Sequence, residues 1–118
     1  MENLSQLEEQ LMLYIWQFGK GFVKNYREMY PLPKLPYTTL ATIIKRLETK
    51  GYVISKLQGN IYEYHINIKF IDYLNQQISS MVNKYFQNSI KEMICFLIKE
   101  RKLSIKDLIE IIETNTYS

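Results

Sequence analysis

The stretch LPYTTLATIIKRLETKGYV, Leu35 to Val53, decides how this chain folds. At about 100° per residue, Leu40, Ile43, Ile44 and Leu47 fall on one side of a helix. Thr38, Thr42, Lys45 and Thr49 fall on the opposite side, with Thr39 and Arg46 on its flank. Thr38 is placed to cap the helix start, and Gly51 to end it. One face is therefore apolar, and the other is small, hydroxylated and cationic.

Beyond Gly51 the period changes. YVISKL and IYEYHI are β-rich runs separated by Gln58-Gly59-Asn60, a short glycine turn that predicts a hairpin. Tyr62, Tyr64 and Ile66 alternate and share one strand face. Upstream, Ser5 and Glu8 have the spacing of a capping box. Leu7, Leu11, Tyr14, Ile15 and Phe18 then recur at helical spacing until Gly19 and Gly21. A second helix is expected over about Val23–Met29, with Phe22 and Tyr26 inward, stopped by Pro31, Pro33 and Pro36. Helix, helix, helix, hairpin is the layout of a winged helix-turn-helix.

From Phe70 the helical period returns. Ile71, Leu74, Ile78, Met81, Val82 and Tyr85 form one stripe. Asn88 or Ser89 opens the next helix, whose apolar residues are Ile90, Met93, Ile94, Leu97 and Ile98. Leu103-Ser104 opens the last, with Ser104 capping Asp107, Leu103 stapling onto Leu108, and Leu108, Ile111 and Ile112 inward. The expected fold class is mainly α with a small β-hairpin. A winged helix-turn-helix domain spans 1–69, and a helical dimerisation domain spans 70–118. So short and apolar a C-terminal piece seldom folds alone. A second copy is the more attractive partner, because DNA-reading helices work in two-fold pairs. Ile78, Met81, Ile94, Leu97, Leu108 and Ile111 are the candidate dimer contacts.

The bulk numbers agree with a folded chain that meets a polyanion. A length of 118 residues suits one compact domain, or a small domain with an appendage, and 47 % apolar residues argue against disorder. Residues 1–69 hold nine Lys/Arg against six Asp/Glu, whereas residues 70–118 hold six and six. From Lys34 to Lys56 there are five cations (Lys34, Lys45, Arg46, Lys50, Lys56) and one acid, Glu48. The net charge of +3 thus sits on and around the opening stretch.

Other functions find little footing. The one cysteine, Cys95, excludes an internal disulfide and fits a reducing, cytoplasmic setting; among aliphatic neighbours it reads as a buried hydrophobe. MENLSQLEEQ is acidic and polar, which is unlike a signal peptide. No apolar run approaches the roughly 18 residues that span a bilayer, so no lipid-membrane binding is expected. His65 is the single histidine and lacks metal-ligand companions, so it reads as structural. No phosphate loop, nucleophile elbow or His-Glu-x-x-His appears. The expectation is a non-enzyme without cofactor or metal, with Trp16 and the ten tyrosines as packing residues.

The polar face of 38–49 suits the major groove of duplex DNA. A threonine bonds a base edge and sets its methyl against that of thymine. Lys45 and Arg46 reach phosphates. The bland alternative is a solvated face. Lys56 and Asn60 beside the hairpin tip add a second point of contact with the same duplex and favour DNA. A winged helix that binds protein instead is the competing class. Such a surface usually offers an exposed aromatic anchor rather than threonines.

These residues resemble the penicillinase repressor family, the BlaI/MecI-like winged-helix repressors, in a Bacteroidetes-type version. The resemblance runs from about Leu4 to Ile112. It is carried by Glu8-Glu9 with Met12, Ile15, Trp16 and Gly19, by YTTLATIIKRLETKG, by Gly59-Asn60 with Tyr62 and Tyr64, and by Leu103-Ser104. It implies a homodimer that binds a dyad operator and represses a resistance or stress operon of the β-lactam type. It places Thr38, Thr39 and Thr42 at base-facing sites, and Lys45, Arg46 and Lys56 near phosphates. It implies release when a membrane-bound sensor metalloprotease triggers cleavage, here at the bond matching Cys95-Phe96. The chain departs from many members in having Cys95 before that Phe and Asn60, in place of Arg, after the wing glycine.

Overall fold

The computed structural model describes residues 1–29 and 35–116. Pro31, Pro33 and Lys34, expected in the linker and the basic stretch, lie outside the described residues. Helices α1 (Gln6–Phe18), α2 (Val23–Met29) and α3 (Tyr37–Thr49) precede strands β1 (Val53–Gln58) and β2 (Ile61–Ile66). Helices α4 (Phe70–Phe86), α5 (Ile90–Lys99) and α6 (Ile105–Asn115) follow. This is a mainly helical chain with one antiparallel hairpin, and its first five elements form a winged helix-turn-helix. It divides into two compact units, Met1–Tyr73 and Leu74–Ser118.

In the first unit, Ser5 caps α1 as its spacing predicts. Its hydroxyl accepts from the Glu8 amide, and the Glu8 carboxylate accepts from the Ser5 amide at 2.8 Å. The core joins Leu11, Met12 and Ile15 of α1, Tyr26 of α2, and Leu40, Ile43, Ile44 and Leu47 of α3 to Tyr52, Val53 and Tyr64. Every aliphatic residue assigned to the inner face of α3 is therefore buried. On α1 the inner face is rotated from expectation. Met12 is fully buried, whereas Leu7 and Phe18 remain more than a third exposed. Phe18 stacks on Tyr14 and meets the Tyr26 ring edge-on instead.

Helix α3 begins at Tyr37 with Pro36 at the N-cap, and no side chain caps it. Proline presets the backbone for helix entry, so Thr38 lies inside the first turn rather than before it. Gly21 also pairs with Tyr64, giving β2 a short extra neighbour by mutual bonds of 3.0 and 2.7 Å. A Cβ at Gly21 would meet the Phe18 and Tyr26 rings at 3.3 Å. Gly21, just past the end of α1, is thus also a close-packing position.

The hairpin pairs Val53 with Ile66, Leu57 with Tyr62 and Gln58 with Ile61. Its two-residue turn puts Gly59 at φ +63°, a left-handed position that favours glycine. The start of α4 closes the unit. The Trp16 indole donates to the Ile68 carbonyl at 2.8 Å, and the Tyr73 hydroxyl donates to Glu9. The rings of Trp16, Phe70, Tyr73 and Tyr52 pack together. Burial and the Glu9 carboxylate push the Tyr73 hydroxyl pKa well above its ordinary value.

The second unit is built from locally well-formed helices. Ser89 caps α5 by accepting from the Glu92 amide, and Ser104 with Asp107 forms a reciprocal box at α6. Phe86 and Phe96 pack with ring centroids 5.6 Å apart. Yet α5 and α6 contain no buried residue, and Val82 is the one buried hydrophobe described between Leu74 and Thr116. Cys95, expected to be buried, is exposed because α5 has only partial cover along its length.

Candidate nucleic-acid interface

Helix α3 is held by its inner face, which leaves its outer face free for a partner. Thr38, Thr39, Thr42, Lys45, Arg46 and Thr49 are all exposed. Lys56 and Asn60 are exposed on the hairpin beside them. Every residue singled out as DNA-facing is thus accessible, and five of the seven share one helix.

Two of these threonines are tied to the helix backbone. The Thr42 hydroxyl donates to the Thr38 carbonyl at 2.9 Å, and Thr49 donates to the Lys45 carbonyl at 3.0 Å. Such bonds one turn back fix the side chain on the helix. With its hydrogen committed, the Thr42 oxygen presents lone pairs. It is then an acceptor for an adenine N6 or cytosine N4 amine, beside a methyl that suits thymine.

The cations divide into two sets. Lys45, Arg46 and Lys56 face solvent, with Lys45 only 3.8 Å from Glu48. Glu48, the one acid of the stretch, also accepts from the Ser55 hydroxyl. Lys50 does not belong with the free cations. Its ammonium lies 2.6 Å from the Glu8 carboxylate and 2.9 Å from the Asn3 carbonyl. Tyr52 donates to the Glu2 carbonyl at 2.5 Å, so the N-terminal segment is strapped to the end of α3. By sequence Lys50 belongs to the basic stretch, because nothing local marks a partner 42 positions away.

His65 has a partner in the Glu63 carboxylate, 2.7 Å away on the same strand, and both side chains are half-buried. Among the described residues no group of three His, Cys, Asp or Glu side chains is placed to hold a metal ion. Among the same residues no helix is long and apolar enough to cross a membrane.

In the second unit, Ile78, Met81 and Ile111 are exposed, and Ile94, Leu97 and Leu108 are half-buried. Cys95 and Phe96 are both exposed on α5.

Comparison with known proteins identifies the family and supports the fold. The penicillinase repressor family model matches residues 4–115. The chain is 24 % identical over 115 residues to the penicillinase repressor of Bacillus licheniformis, covering 94 % of this chain and 90 % of that one. It is 22 % identical over 110 residues to the methicillin resistance regulatory protein MecI of Staphylococcus aureus strain N315, covering 92 % and 89 %. Among solved structures it is similar to the organohalide-sensing transcriptional regulator RdhR in its ligand-free form, with a TM-score of 0.53 and 15 % identity. That match covers 98 % of this chain and spans 62 % of the other, and it supports the fold. A family match over nearly the whole length, on a winged-helix frame with an exposed threonine-and-cation helix, shows that this chain belongs to the penicillinase repressor family.

Proposed function

We propose that the protein is a homodimeric repressor that reads a dyad operator with α3 and silences a resistance or stress operon of the β-lactam type. One observation carries the reading. The core holds α3 by Leu40, Ile43, Ile44 and Leu47, so Thr38, Thr39, Thr42, Lys45 and Arg46 all face outward together. The threonines suit base edges in the major groove, and Lys45, Arg46 and Lys56 suit flanking phosphates. The names of the relatives, a penicillinase repressor and a methicillin resistance regulator, support the class of operon.

Residues 1–69 bind DNA, and residues 70–118 form the dimer. The exposed stripes of α4, α5 and α6 support this, since apolar surface left without a core gains most from a second copy. Ile78, Met81, Ile94, Leu97, Leu108 and Ile111 are the contacts in this reading. A membrane-bound sensor metalloprotease then triggers release by cleavage at Cys95-Phe96. The exposure of both residues is consistent with access. The protein works in the cytoplasm, where its operator is.

Footprinting on the DNA upstream of the chain's own gene tests the proposal. Two protected half-sites related by a dyad are expected. Uniform, sequence-independent protection would reject operator recognition and favour a different role for α3.

A further inference from the structure

A cleft of about 590 Å³ opens between α2, the first turns of α3 and strand β2. Sites for small molecules run from roughly 300 to 1,000 Å³, so its size is in range. Phe22, Tyr37, Tyr62 and Tyr64 line it with aromatic rings. Tyr37 and Tyr62 are about half exposed, whereas Tyr64 keeps only 7 % of its exposure. A buried tyrosine hydroxyl normally finds a hydrogen-bond partner. Three buried tyrosines do: Tyr26 donates to the Gly19 carbonyl, Tyr52 to the Glu2 carbonyl and Tyr73 to Glu9. The Tyr64 hydroxyl has none among the described residues. No sealed side-chain oxygen among those residues lacks a partner, so this hydroxyl opens onto the cleft that Tyr64 lines.

The chemistry of the walls narrows the ligand. Burial first, then the charges of Glu48, Tyr37 and Tyr62, raises the Tyr64 pKa above its ordinary value, so the hydroxyl keeps its proton and donates. Lys24 and Arg27 line the same cleft with Glu28, two cations against one acid. None of the three is in an ion pair among the described residues. Arg27 gives its Nε to the Leu35 carbonyl at 3.4 Å, which leaves its terminal nitrogens for a ligand. The rings favour a flat aromatic body, which stacks or meets them edge-on. A buried donor with an excess of cations favours an acidic group on that body. A cationic ligand would gain the ring faces and Glu28 but would meet two positive charges.

We infer that this cleft binds a flat aromatic acid, with its ring among Phe22, Tyr37 and Tyr62 and its acidic group on the Tyr64 hydroxyl, Lys24 and Arg27. Tyr37 and Ala41 bring the cleft to the flank of α3 beside Thr38 and Thr42, and Asn60 lines it from the hairpin. A ligand there crowds the operator contacts, so ligand and operator lower each other's affinity by the same factor. That coupling rests on the DNA-binding reading of α3, whereas the ligand site does not.

The test titrates the full chain with three probes that share one aromatic body: naphthoate, naphthylmethanol and naphthylmethyl-trimethylammonium. Calorimetry should show naphthoate binding about tenfold tighter than the neutral alcohol, and the ammonium no tighter than the alcohol. Tyr64→Phe removes only the hydroxyl and should cost naphthoate about tenfold. Its melting temperature should hold, because that hydroxyl has no partner in the fold. Arg27→Gln should cost a similar factor. No binding of naphthoate, equal affinity for acid and alcohol, or tighter binding of the ammonium overturns the proposal. Full naphthoate affinity in both variants overturns it too, since the ligand then sits elsewhere. Saturating naphthoate should also weaken binding to the duplex selected from a random pool by about tenfold. Naphthoate that binds as expected but leaves duplex affinity unchanged overturns the coupling and keeps the ligand site. A chain that selects no duplex even without ligand overturns the reading of α3 instead.

Discussion

The ammonium of Lys50, at the C-terminal end of α3, lies 2.6 Å from the carboxylate of Glu8, in the first turn of α1. Glu8 is the one buried charged residue described, and the Lys50 side chain keeps 27 % of its exposure. The pair ties the C-terminal end of α3 to the capping box of α1.

Replacing Glu8 by Ala should therefore destabilise the fold. A fully buried pair costs about 3–5 kcal/mol when one partner is removed. Lys50 regains some water here, so a loss of about 1–3 kcal/mol is expected in urea titration. Glu8→Ala also removes half of the capping box. Glu8→Gln separates the two effects by retaining an acceptor for the Ser5 amide.

The same pair makes stability depend on pH. The Lys50 hydrogen bond, followed by the backbone amide of Ser5, holds the Glu8 carboxyl below its ordinary value of 4.5, against the opposing effect of burial. A carboxylate whose folded pKa is depressed contributes stability that is present above the unfolded value. That contribution is lost as pH falls through the folded value. Between pH 7 and pH 5 the wild type should exceed Glu8→Gln in melting temperature. Below about 4.5 the gap should close. A gap that stays constant to pH 3 would remove Glu8 from the acid response.

Thr42 and Ile43 are neighbours with opposite fates, exposed and 2 % exposed respectively. Thr42→Ala should leave the melt unchanged or slightly raised, since alanine is the better helix former. It should cost about 1–3 kcal/mol in discrimination between operator and mutated operator. Ile43→Ala should destabilise by about 2–5 kcal/mol through core truncation. The assigned orientation of α3 is wrong if Thr42→Ala proves the more damaging in thermal melts.

The two sets of cations should separate in salt. Neutralising Lys45, Arg46 or Lys56 should each reduce the log–log salt slope of operator binding by about 0.9 per lost phosphate contact. Glu8→Gln with Lys50→Met removes the structural pair together and should leave the slope unchanged. A slope change from the second variant, measured well below its melting temperature, would return Lys50 to the interface.

The second unit predicts a concentration-dependent assembly. A chain ending at Cys95 loses Phe96, Leu97, Leu108 and Ile111, which are half-buried or exposed in the single chain. Each such side chain is worth about 1.5–3 kcal/mol when a partner buries it fully. Sedimentation should show a dimer for the full chain and a monomer for the truncated one. Operator affinity should fall with it, because one reading helix no longer holds its partner at the second half-site. A truncated chain that stays dimeric and binds fully would detach release from dimer loss.

What the sequence determined by itself were the features that local periodicity encodes. The apolar face of α3, the capping boxes at Ser5 and Ser104, the glycine hairpin turn and the order of elements all follow from spacings of two to four residues. That spacing also separates Thr42 from Ile43, because a helix sends adjacent side chains to different faces. Tertiary structure alone decided which partners meet across the chain. It took Lys50 out of the basic stretch by bringing it to Glu8, turned α1 so that Met12 is buried, and paired Gly21 with Tyr64. The physical reason is the same in each case. A side chain separated by tens of residues from its partner leaves no periodic trace in sequence, and burial or exposure is settled only when the elements pack.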